Sequence, residues 1–191
     1  MKPSPRLLKI LATASLPRDV VAARPCASDP AAEAITRWRV MPTDIDLFGH
    51  MNNSRYLLLM DYARIDYLAR LGLLRTAVKN RWTIPVGSAQ LDFRRSLRPF
   101  EWFEIGTQVL SWNERCFYLR QTFRSVADRD RPVATGHLTV IFRSPKGRVS
   151  PAAIVRMAVD EDVIPPLLDN STRAKFGMSA LPTSLSPAAA S

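Results

Sequence analysis

Asp44-Ile45-Asp46-Leu47-Phe48-Gly49-His50-Met51-Asn52-Asn53-Ser54-Arg55-Tyr56 crowds two carboxylates, a glycine, one of the chain's two histidines and two asparagines into one short stretch. Upstream, Thr36-Arg37-Trp38-Arg39-Val40-Met41 alternates polar and apolar residues. That period of two predicts a strand ending near Pro42. Downstream, from Ser54 to Leu74, the residues Tyr56, Leu59, Met60, Ala63, Tyr67, Leu68 and Leu71 recur at spacings of three and four. This predicts a helix, with Gly72 as its stop. The cluster therefore sits at a strand-to-helix junction, where free backbone N–H groups stabilise anions. The helix is apolar around much of its circumference, so it is expected to lie buried against a sheet.

Four strand-like segments follow, roughly Trp82 to Arg95, Glu101 to Trp112, Phe117 to Ser125 and Val133 to Phe142. Leu97-Arg98-Pro99, Asn113-Glu114-Arg115 and Asp128-Arg129-Asp130 supply the breaks. After Ser150 two short helical stretches precede a tail from Asn170 that is rich in Ser, Ala and Pro and reads as mobile. One strand, a long buried helix and four more strands make an α+β domain, a sheet wrapped around a helix. The expected divisions are a basic arm and linker over 1–35, the folded domain over 36–148, and a helical extension with tail over 149–191.

The chain has 191 residues, 47% hydrophobic and 23% charged, with net charge +10 and a pI near 10.4. That excess, much of it Arg, suits nucleic acid, an anionic membrane or a small phosphorylated ligand, and equally a solvated basic surface. No apolar run is long enough to span a bilayer. Near the N-terminus Lys9 interrupts a short apolar region, which reads as a basic amphipathic helix rather than an export signal. Cys26 and Cys116 are far apart, so neither a disulfide framework nor a zinc site is expected, and a reducing cytoplasm suits the chain. The many Arg and Ala residues suggest a GC-rich bacterial source.

Within the junction, Asp46 has the chemistry of a general base or nucleophile, though spacing alone favours a helix-capping or loop-ordering carboxylate. Asp44, two residues earlier on the same side of an extended strand, reads as a loop-fixing group whose charge would raise the pair's apparent pKa. Gly49 permits positive φ or close approach of a ligand. His50 fits a base, a polariser or a loop organiser. Asn52 and Asn53 are placed to cap the helix. Tyr56 and Tyr67 read as core residues, with Tyr56 also a candidate at the ligand surface. Asp61 and Arg64, three apart, fit a helix pair or a buried brace. Arg94, Arg95, Arg98, Arg143, Lys146 and Arg148 fall at strand ends and loops, where they are either phosphate contacts or solvated charges. There is no Gly-rich phosphate loop, no Gly-x-Ser-x-Gly elbow and no metal-ligand spacing.

The pattern Asp-x-Asp-x-x-Gly-His-x-Asn-Asn-x-x-Tyr, with Asp61-Tyr62-Ala63-Arg64 and Asp92-Phe93-Arg94-Arg95-Ser96-Leu97 downstream, resembles the hotdog-fold acyl-CoA thioesterases of the 4-hydroxybenzoyl-CoA thioesterase-like group. Within that group it looks most like the superfamily-member-6 type. The resemblance spans roughly Thr36 to Arg148, and Asp61 stands where the group usually has Glu. It implies hydrolysis of an acyl-CoA thioester without cofactor or metal, in a homodimer or homotetramer. Asp46 would activate water or attack the carbonyl. The backbone N–H near Asn53 would hold the oxyanion, with His50 nearby. Gly49, Asn52, Tyr56, Arg94, Arg95 and Arg143 would contact the substrate. A non-hydrolytic acyl-CoA or acyl-carrier binding module shares these features. A hydratase or dehydratase using His50 fits the motif less well, and nucleic-acid binding has charge but no recognised motif behind it.

Overall fold

The computed structural model describes residues 32–181. Strand β1 (Ala34–Arg39) leads through a single tight 3-10 turn (Pro42–Asp44) to helix α1 (Asn53–Arg70) and the short α2 (Leu74–Lys79). Strands β2 (Val86–Phe93), β3 (Trp102–Trp112), β4 (Phe117–Ser125) and β5 (Asp128–Val140) follow. A small hairpin, β6 (Phe142–Ser144) and β7 (Gly147–Val149), precedes α3 (Pro151–Val159) and α4 (Asn170–Lys175). The five long strands form one sheet in the order β1-β3-β4-β5-β2, and every pairing is antiparallel.

α1 lies along one face of this sheet. Tyr56, Leu59, Met60, Ala63, Arg64, Tyr67 and Leu68 are buried, so the three-and-four spacing of the sequence is the spacing of the packed face. Burying each large side chain contributes about 1.5–3 kcal/mol. The helix approaches closely at Gly136 on β5, where an added Cβ would collide with Cε of Met60. Along β5 the period of two is visible: Ala134, Gly136, Leu138 and Val140 are buried, while Thr135, His137 and Thr139 are half-exposed on the other face. The predicted sheet around a helix is thus the observed architecture.

Element boundaries differ from expectation in four places. β1 starts at Ala34, inside the presumed linker. β2 starts at Val86 rather than Trp82, because Pro85 has no N–H to give a ladder and Thr83 instead bridges to Arg143. β5 starts at Asp128, five residues earlier than the sequence pattern suggests. Its register against β4 shifts between Phe123 and Ser125, which accommodates Pro132. The tail is placed as far as residue 181, with α4 followed by Phe176 packed on Tyr118 and His137 at centroid distances of 5.0 and 5.7 Å. The basic arm up to residue 31 and the tail beyond 181 lie outside the described residues.

Candidate active site

The junction motif forms a compact loop at the N-terminal end of α1. Ile45 and Met51 bridge in antiparallel fashion. The Asp46 N–H donates to the His50 carbonyl at 3.0 Å, the Gly49 N–H to the Asp46 carbonyl at 3.1 Å, and the Asn52 N–H to the Asp44 carbonyl at 2.8 Å. Gly49 turns the chain with φ of +80°, a conformation that a Cβ disfavours. The segment after β2 braces the loop, since the Met51 N–H donates to the Leu97 carbonyl at 2.9 Å.

Asp44 and Asp46 do not form the same-side pair that an extended strand would give. The 3-10 turn buries Asp44, whose Oδ1 accepts from Arg55 Nε at 2.7 Å and whose Oδ2 accepts from the Met41 N–H at 2.9 Å. Its oxygens are therefore committed to holding the loop. Asp46 keeps 20% of its side-chain surface exposed. One oxygen accepts from the Phe48 N–H at 2.9 Å, and the other lies 3.5 Å from His50 Nδ1 without hydrogen-bond alignment. Phe48 and His50 stack at 6.2 Å, and the Leu47 and Phe48 side chains stand almost wholly in solvent.

Asn52 is the helix N-cap. Its side-chain oxygen accepts from the Ser54 N–H at 2.8 Å, and its carbonyl accepts from the Arg55 N–H at 2.9 Å. The Asn53 N–H, at the head of the helix, has no acceptor among the described residues. A partly exposed carboxylate and an unpaired helix-terminal donor therefore flank the same short bridge. The first suits proton transfer or attack, and the second suits a developing negative charge.

Other expected ligand contacts scatter. Tyr56 is fully in the core with its ring against Phe93 and Phe123, at 5.1 and 4.9 Å. Burial pushes its hydroxyl up to about 12, partly offset by a hydrogen bond with the Leu97 backbone. It supports the loop from beneath and presents no surface to a ligand, which corrects the expectation for it. Arg95 is tied to Asp128, its Nη2 3.3 Å from the carbonyl. Arg143 lies on β6, bridged to Thr83 just after α2, beyond the far end of α1. The eighteen-residue α1 is ~27 Å long, so within one chain Arg143 is not brought to Asp46. Arg94 sits on the outer face of the sheet.

Arg55 and the buried Gln121 escaped the sequence reading. Arg55, inside the motif but not weighed there, is the counter-charge of Asp44. Arg64 pairs with Asp61, as its spacing allowed, and also donates to buried Gln121 at 2.7 Å; Gln121 in turn donates to Thr107 Oγ1 at 2.9 Å and to the Met60 carbonyl at 3.1 Å. Desolvation pulls the Arg64 guanidinium down to about 10. Arg64 also borders an apolar cavity of about 50 Å³ between α1, the sheet and α3, with Tyr67, Leu119, Phe142 and Ile154 among its walls.

The family model described as Thioesterase-like superfamily matches residues 40–170. Protein THEM6 of Danio rerio is 41% identical over 112 residues, 56% of this chain and 55% of that protein. Protein THEM6 of Xenopus laevis is 39% identical over 89 residues, 47% of this chain and 43% of its own length. The chain thus spans about half the length of the curated relatives it matches. These relatives are animal proteins and lend no support to a bacterial source. Among solved structures, a gentisyl-coenzyme A thioesterase superposes with a TM-score of 0.58 at 22% identity, over 65% of this chain and 98% of that one. A 1,4-dihydroxy-2-naphthoyl-CoA thioesterase from Synechocystis gives 0.59 at 12% identity, over 68% and 97%. The shared fold is the hotdog.

Proposed function

Because the chain belongs to the thioesterase-like superfamily, whose model matches most of its length, we propose that it hydrolyses an acyl-CoA thioester. Water adds to the carbonyl carbon, the C–S bond breaks, and the products are a carboxylic acid and the CoA thiol. Asp46 takes the proton of the attacking water or itself attacks the carbonyl. The Asn53 N–H and the positive end of α1 hold the oxyanion, and His50 flanks the carboxylate. Thioester hydrolases among the solved structures that share the fold are consistent with this reading. The observation that carries it is the pairing of a half-buried, partly free Asp46 with an unpaired helix-terminal N–H.

Release of free thiol from short, medium, long and aromatic acyl-CoA esters tests the proposal. Asp46→Asn should lower turnover by at least about a hundredfold while acyl-CoA binding persists. Full activity in that variant would remove Asp46 from the chemistry. Tight binding with no thiol release from any ester would make the protein an acyl-CoA binding module instead.

The reading includes a homodimer. β2 is an edge strand, mostly exposed from Val86 to Phe93, and its outer backbone edge has no partner among the described residues. An open edge of that length invites pairing with another strand. A second copy joined along β2 would extend the sheet across both chains. Sedimentation should then give twice the 21.4 kDa chain mass. A monomer at tens of micromolar would refute the pairing.

A further inference from the structure

The outer face of the sheet, opposite α1, holds a second concentration of chemistry. A hollow of about 390 Å³ opens there between β2, β5 and α4, lined by Asp92, Arg94, Arg131, Thr135, His137 and Lys175. Its volume falls within the roughly 300–1,000 Å³ of ordinary small-molecule sites. Lys175 Nζ reaches Asp92 Oδ2 at 2.9 Å, which accounts for one cation and the single carboxylate. The guanidinium groups of Arg94 and Arg131 have no acid or acceptor among the described residues. His137 Nδ1 is buried with no hydrogen-bond partner, and the Phe176 ring stands edge-on to the imidazole at 5.7 Å.

Two like charges facing one concavity repel. An anion with several acceptor oxygens relieves that repulsion. The planar guanidinium fork matches phosphate geometry, and two uncompensated cations favour a dianion over a carboxylate. We propose that this hollow binds a phosphate monoester, held by Arg94 and Arg131, flanked by Lys175, with the Thr135 hydroxyl donating to its oxygens and the His137 ring bordering it. The volume leaves room for part of the esterified alcohol. The C-terminal segment helps build the site, because Lys175 lines one side of it. The same dianion occurs in free phosphorylated metabolites and at the nucleotide end of CoA.

Calorimetric titration of the Asp46→Asn protein keeps this test separate from turnover. The probes are inorganic phosphate, adenosine bisphosphate (the nucleotide end of CoA) and pantetheine, which has no phosphate. Adenosine bisphosphate should bind saturably, inorganic phosphate should compete with it, and pantetheine should not. Arg131→Gln should weaken binding about tenfold, and Lys175→Gln in the same direction. Arg131 has no partner to lose on substitution, so its variant leaves the fold intact. Arg75→Gln, which removes the same charge from exposed α2, should leave binding unchanged. Absence of saturable binding, or equal weakening by Arg75→Gln and Arg131→Gln, would overturn the site. A final arm, which rests on the thioesterase reading, uses active protein and identifies the ligand's source. A raised KM for acyl-CoA in Arg131→Gln assigns the site to the substrate's own phosphate. An unchanged KM with adenosine bisphosphate binding lost assigns it to a separate metabolite, and both results sustain the site.

Discussion

Asp44 and Asp46 are the same residue type two positions apart, and their surroundings give them different work. Asp44 is buried and answers two donors, Arg55 and the Met41 N–H. Replacing it with Ala leaves a guanidinium and a backbone N–H without their acceptor. Because the Arg55 side chain is one-third exposed, water recovers part of that loss. Asp44→Ala should therefore lower unfolding free energy by about 1–3 kcal/mol. Asp46→Asn keeps an oxygen for the Phe48 N–H, so its stability should stay within about 0.5 kcal/mol of wild type. Denaturant midpoints of the two variants, measured beside thiol release, separate the roles. Equal destabilisation by both would mean that Asp46 too is chiefly structural.

At the scale of elements, legibility followed locality. α1 was readable because its repeat is the face it buries, and the junction loop was readable because its residues are contiguous. Gly49 and Asn52 occupy the backbone roles their types favour, whereas Asn53, expected to cap as well, is the first residue of the helix itself. The start of β5 was misread because Asp128-Arg129-Asp130 carries turn composition. Arg129 is instead held in the strand by Glu104 at 2.7 Å across the sheet. The segment after Asn170 has the composition of a mobile tail, yet Phe176 docks on side chains of β4 and β5. A contact between residues so distant in sequence leaves no periodic trace. The arginines show the same limit. Residue type proposed Arg94, Arg95 and Arg143 together, and only strand order reveals that they stand at an outer hollow, an ion pair and the far end of α1.

At the scale of the whole molecule, the outer hollow links stability to pH. Burial, then Lys175 on α4 and Arg120 on β4, lowers the His137 pKa, while Asp92 on β2 opposes them. The nearby Arg94 and Arg131 add further positive charge around the hollow. A histidine whose folded pKa lies below the ordinary value of about 6.5 is protonated more readily in the unfolded chain. Its contribution is fully present above about pH 6.5 and is lost as pH falls from there through the folded value. Asp92, held below the ordinary carboxylate range chiefly by its hydrogen bond from Lys175, adds a second limb of the same sign below about pH 4. Melting temperatures in phosphate-free buffer should therefore fall between pH 7 and pH 5, and His137→Gln should flatten that interval while leaving the lower limb. Added phosphate should reduce the drop, because a dianion beside the imidazole favours its charged form. A wild-type profile parallel to that of His137→Gln from pH 7 to pH 5 would show that His137 does not couple protonation to folding.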